Sequence, residues 1–225
     1  MRKLFLLNFL CLFVVFSFGQ SSFNLKEIEI LTHDSSSEFY YPTLLLEFNN
    51  HPKSFDSTKA KFLYYGKLYR ENYKMFQFAP EQGEFNHLFK NERYKKAIQV
   101  GEIILQNDPT NLEILLKLNT CYKKREFNEK VDTTTIKLAA LINTILANGN
   151  GQEKISAYKV VDIADEYVIM AWLGIVGLTR ESIMKQNSAI DSWTVRNIKS
   201  GKKYVMHFEW LVNTEQGVKN MKWPD

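Results

Sequence analysis

Four histidines, His33, His51, His87 and His207, are the first residues to test for metal or acid–base chemistry. None has a second histidine three or four residues away, the spacing that sets two imidazoles on one helical face in zinc sites of the H-E-x-x-H kind. His207 and Glu209 stand two apart in an alternating segment, so on a strand they share a face. Such a pair can ligate a metal or exchange a proton, but it also arises on the wet face of any strand. Asp162 and Asp165 are a carboxylate pair near a turn, which is weak ground for glycoside chemistry. There is no G-x-S-x-G elbow and no glycine loop to cradle a phosphate. Cys121 has no neighbours that would activate a thiol and reads as a buried, inert cysteine. No catalytic residue, metal ligand or cofactor follows from these residues, and the reading leans away from an enzyme.

Aromatic residues are concentrated instead. Fourteen Phe or Tyr residues lie between Phe39 and Phe89. Large rings supply core area, and they can also stack on sugars or on an extended peptide. If a partner or ligand surface exists, Tyr40, Tyr41, Tyr64, Tyr65 and Tyr69 are the residues to carry it. Tyr64 and Tyr65 are adjacent, so on a helix at least one should leave the central core line.

The first twenty residues have the form of a secretory signal peptide. Arg2 and Lys3 precede an apolar run from Leu4 to Phe16, and Ser17 and Gly19 are small residues at the cleavage site. The run is short for a membrane span, which needs roughly 20 residues. The expectation is an exported chain, periplasmic or secreted, with no integral membrane segment after cleavage. Loss of Arg2 and Lys3 would lower the net charge from +4 to +2. No basic run exceeds Lys123-Lys124-Arg125, so a nucleic-acid partner is not expected. Only Cys121 would remain after cleavage, so no internal disulfide is available and the core must hold the fold.

Helical spacing dominates as far as residue 148. Asn24 caps a helix to about His33, Pro42 opens a second, and Asp56 or Ser57 caps a third to about Glu71. "KMFQFAPEQGE" reads as a loop, with a short helix around Phe85, Leu88 and Phe89. In "YKKAIQVGEIILQNDPTNLEILLKLNTCYKKRE", Tyr94, Ala97, Ile98, Gly101, Ile104 and Leu105 mark one helix, stopped by Pro109. Thr110-x-x-Glu113 has the form of a capping box that opens the next, with Leu115, Leu118 and Tyr122 inward. A further helix is predicted from about Asp132 to Ala147. "NGNGQEKIS" then marks a turn or linker. Beyond it, "AYKVVDI" reads as a strand, and "KYVMHFEWLV" alternates as a half-buried strand entered by a hairpin at Ser200-Gly201. Residues 165–174 fit either a buried strand or a helix capped by Asp165, with the helical period the better match.

The pair of helices between residues 91 and 126 resembles a tetratricopeptide unit through Tyr94, Ala97, Pro109, Leu118 and Tyr122. It departs from that pattern at Gly101 and Asn119, and stable arrays need about three repeats. Over residues 22–215 the chain is similar to an uncharacterised family of exported Bacteroidetes proteins, domain of unknown function forty-nine nineteen, through Tyr40-Tyr41-Pro42 and Tyr64-Tyr65-Gly66. That resemblance implies placement and no mechanism.

The expected fold is α+β. The signal peptide occupies 1–20, the helical part 21–148, a linker 149–156, and a β-rich part 157–225 with a small antiparallel sheet that shares the core. The expected role is a non-catalytic interaction module in the cell envelope, whose partner is another envelope protein or a peptide. The alternatives are a hydrolase using His207, Glu209 or Asp162, and a small-ligand carrier with an aromatic pocket.

Overall fold

A computed structural model describes residues 23–70, 73, 79–185 and 188–212. The expected signal peptide, and much of the loop that follows Tyr73, lie outside these residues.

Eight helices are described. Asn24 caps α1 (Leu25–His33), its side chain accepting from the Lys26 and Glu27 N–H groups. Helix α2 (Tyr41–Asn50) carries Pro42 in its first turn, where a missing N–H costs nothing. Asp56 caps α3 (Ser57–Gly66) by accepting from Lys59 N at 2.9 Å. This helix tightens into a 3-10 turn at Lys67–Tyr69, and its predicted end at Glu71 lies outside the described residues. Helices α4 (Gln82–Lys90), α5 (Tyr94–Asn107), α6 (Leu112–Lys124) and α7 (Asn128–Ala147) follow, each packed on the next. The break at Pro109 falls where predicted, but the cap of α6 is Asn111, which accepts from Ile114 N at 3.1 Å. Thr110 is buried and bonds Asp108 instead. Helix α7 begins at Asn128, four residues before the predicted Asp132.

The second half contains β1 (Tyr158–Val160), α8 (Ile163–Trp172), β2 (Ile175–Met184), β3 (Ser188–Asn197) and β4 (Lys203–Leu211), in the sheet order β1-β4-β3-β2. The ambiguous segment is helical, and its N-cap is Asp162 rather than Asp165. The hairpin turn before β4 is as predicted, with Gly201 at φ 70°. The sheet departs from expectation in being mixed. Strands β2, β3 and β4 are antiparallel, but β1 runs parallel to β4, with Val160 opposite Trp210. A parallel pair needs a long crossover, and α8, β2 and β3 together supply it. Sequence reading did not anticipate β2. It is an edge strand, exposed over most of its length, and a bulge between Gly177 and Thr179 breaks its alternation.

The main core joins the two halves. It includes Ile28, Leu44, Phe48 and Leu63 from the first three helices, Leu141 and Ile145 from α7, Ile169 from α8, and Phe208 and Trp210 from β4. A second cluster fills the space between α4, α5 and α6, around Phe85, Ile98, Ile104 and Leu118. Gly101 lets these helices approach closely, since a Cβ there would stand 2.7 Å from Phe85 and 2.8 Å from Leu118. The segment read as a linker is pinned to the sheet: Gly151 takes φ 66°, and its carbonyl accepts from His207 N at 2.8 Å.

Candidate functional site

The end of α1, the start of α2 and the 3-10 turn after α3 meet around a cleft of about 400 Å3. Thr32 and His33 form one wall, Tyr40, Tyr41 and Pro42 a second, and Tyr69 and Arg70 a third, with Gly66 between them. Gly66 is required there: a Cβ would stand 2.8 Å from Thr32 and 3.1 Å from Tyr41. The Arg70 guanidinium lies over the Tyr41 ring, 5.5 Å from its centroid, in cation–π geometry. The Tyr41 ring is largely buried, and its hydroxyl is turned inward beside Thr110, so burial raises its pKa. Burial, with a contribution from Glu29, pushes the Tyr69 hydroxyl up to about 12, which keeps it a donor. His33 Nδ1 donates to the Glu29 carbonyl at 2.8 Å, fixing the ring at the rim.

Behind this cleft is a buried polar cluster. Lys67 is enclosed, and its Nζ lies 2.8 Å from Asp108 Oδ2 and 2.7 Å from Asp162 Oδ2. Burial works against the Lys67 charge, but Asp108, Asp162 and Asp165 outweigh it and hold the ammonium well above its usual range. Burial likewise opposes ionisation of Asp108, and Lys67 overrides it, so that carboxyl falls below its usual range. The Tyr64 hydroxyl donates to Asp165 Oδ2 at 2.6 Å and accepts from Val161 N at 3.0 Å. Asp165 also accepts from its own N-cap residue, at Asp162 N. One cation among three carboxyls leaves Asp165 poorly compensated, and burial together with Asp162 raises its pKa.

The next residue on α8 faces the sheet. Glu166 is fully buried, and its Oε2 accepts from Trp193 Nε1 at 2.6 Å. Burial, with a smaller contribution from the Asp191 carboxylate, pushes Glu166 up to about 8. Its other oxygen, Oε1, is buried with no donor from the protein. In its neutral form Glu166 carries a proton of its own, which the nearby Asp191 carboxylate can accept. Asp191 is in turn 3.6 Å from Arg180, which also covers the Trp193 ring.

These placements divide the five predicted tyrosines. Tyr40, Tyr41 and Tyr69 line the cleft. Tyr64 and Tyr65 are 1% and 0% exposed, and both hydroxyls are used internally. The expectation that one of the pair would leave the core fails because α3 is covered by α1 and α2 on one side and by α7 on another. Of the residues named for hydrolysis, His207 and Glu209 share a face of β4, and Asp162 is engaged elsewhere. Asp162 serves Lys67, His207 Nδ1 meets Ser192 Oγ at 3.0 Å, and Glu209 bonds Ser188. Cys121 is buried on α6, and burial pushes its thiol up to about 11. Among the described residues, no three His, Cys, Asp or Glu side chains are grouped as metal ligands, and no helix is long and apolar enough to cross a membrane. Sequence reading missed Arg70, Lys67, Glu166 and Asp191. The only signal for Arg70 was its position directly after Tyr69.

A family model, the domain of unknown function DUF4919, matches residues 26–208. The chain belongs to the DUF4919 family. The matched span contains the whole cleft and both buried carboxyl clusters, so these lie in the family domain and not in an appendage. No curated protein and no solved structure matches the chain. DUF4919 carries no assigned activity, so the roles of Arg70 and of the tyrosines rest on geometry.

Proposed function

We propose that this member of DUF4919 is an exported, non-catalytic binding module of the cell envelope that engages a partner protein or peptide through the cleft of Tyr40, Tyr41 and Tyr69. One observation carries the reading: three of the aromatic residues singled out for a surface role converge on a single cleft with an arginine, whereas the residues that would support hydrolysis are engaged in structural bonds. The volume, about 400 Å3, lies in the range of small-ligand sites and suits one or two side chains of a peptide. The helix pair α5–α6, with its tetratricopeptide-like spacing, serves in this reading as scaffold behind the domain and not as the groove.

The test is capture from envelope and secreted extracts of the source organism, with a Tyr40→Ala/Tyr69→Ala variant of matched thermal stability. A partner bound by the wild type and lost by the variant supports the cleft as the docking surface. A partner retained by the variant moves the surface elsewhere, and the absence of any partner removes the proposal.

A further inference from the structure

We infer that the cleft is a carboxylate-binding site, taking an acid group carried on an apolar or aromatic body. This inference rests on the proposed function and names the chemistry of what the cleft receives. Lys67 and Arg70 stand three residues apart at the junction of α3 and the loop after it, but their situations differ. Lys67 is enclosed and holds Asp108 and Asp162 within 2.8 Å. Arg70 is half-buried in the cleft wall and has no carboxylate within ion-pair distance among the described residues. Asp108, whose carboxyl Arg70 helps to hold below its usual range, is bonded by the lysine and not by the arginine. A guanidinium held over a ring at 5.5 Å makes no hydrogen bond to it, so its N–H groups remain for a planar, two-oxygen acceptor, and carboxylate fits that fork.

The remaining walls set the rest of the ligand. Tyr40, Pro42 and Tyr69 offer apolar and aromatic surface at the rim, and the Tyr69 hydroxyl remains a donor. The tight floor at Gly66, packed on Thr32 and Tyr41, gives the bound group a fixed base. A site of one cation and several rings suits a singly charged acid with an apolar body. A dianion would meet too little positive charge.

Titration of the purified protein with phenylacetate, followed by tyrosine fluorescence and calorimetry, tests this directly. Phenylacetate is expected to bind saturably with Kd on the order of millimolar, as its size allows. The neutral isostere phenylacetamide should bind at least ~10-fold more weakly, the typical effect of losing a charge-assisted pair. Arg70→Gln should abolish the difference between acid and amide, and Arg70→Lys should restore part of it. Inorganic phosphate at the same concentration should not displace phenylacetate. Equal binding of acid and amide, absence of saturable binding, or displacement by phosphate would each overturn the inference. The acid–amide comparison is made on the wild type, so it holds even if an Arg70 variant folds poorly. If acid and amide bind alike but a captured partner is lost in Tyr40→Ala/Tyr69→Ala, the carboxylate inference fails and the proposed function stands.

Discussion

Glu166→Gln should make this protein more stable at neutral and alkaline pH. In the fold Glu166 is pushed up to about 8 from an ordinary 4.5, mainly by burial. The unfolded chain releases the proton near pH 4.5, whereas the folded chain keeps it until about pH 8. Below pH 4.5 both states are protonated and the group costs nothing. As pH rises above that point stability falls by about 1.4 kcal/mol per pH unit, until the folded carboxyl also ionises. The loss is roughly 3 kcal/mol at pH 7 and about 5 kcal/mol above pH 8. Glutamine keeps the shape and the bond from Trp193 Nε1, which its oxygen can accept, and its amide offers N–H groups on the side of Asp191. It has no proton to lose, so the penalty disappears. For a domain of this size, 3 kcal/mol corresponds to a rise in Tm of about 6–12 °C, less whatever the amide geometry gives back. Thermal melts of wild type and variant from pH 4 to pH 8.5 provide the assay. The other titrating groups contribute equally to both proteins, so the difference curve isolates this carboxyl. It should be near zero at pH 4 and grow with pH. A difference that is flat across this range, or a variant less stable than wild type at pH 8, would show that Glu166 is ionised in the fold.

Two further substitutions probe the rest of the framework. Lys67→Met leaves Asp108 and Asp162, both only partly buried, without their shared cation and should cost about 1–3 kcal/mol in urea unfolding, the range for losing hydrogen bonds to a charged group that water in part replaces; no measurable loss would mean that water already solvates both carboxylates fully. Gly101→Val drives side-chain atoms into Phe85 and Leu118 and should destabilise by about 1–3 kcal/mol, a loss that chemical denaturation would detect and that Phe85→Leu in the same chain should partly relieve.

Much of this architecture is legible in the sequence because it follows from local signals. Proline at 109, the capping residues Asn24 and Asp56, and the alternation of Met206, Phe208 and Trp210 each act within a few residues, and each appears where it was expected. The misses depend on distant partners. Tyr64 and Tyr65 cannot both face one neighbour, but α3 has neighbours on several sides, and no spacing rule reports that. The parallel pairing of β1 with β4 joins segments about fifty residues apart, and three residues of β1 carry no mark of direction. In the cleft, the tyrosines stood out as a cluster, but Arg70 is one of 29 Lys and Arg residues, marked only by its place after Tyr69. By sequence alone Glu166 is one more acid in the first turn of a helix, where the dipole favours negative charge. Only packing against β3 turns it into a buried acid.

The strand order also has a consequence for how the chain comes to be folded. The last of the described strands, β4, lies inside the sheet, between the first strand and the third, and its Phe208 and Trp210 belong to the same core as Ile28 and Leu44. A growing chain can assemble α4 to α6 around their own apolar cluster as soon as they emerge. The main core stays open until nearly the whole polypeptide is available, because its closing wall is made last. Folding is therefore delayed by topology, with contacts that span almost the full length and a correspondingly slow closing step.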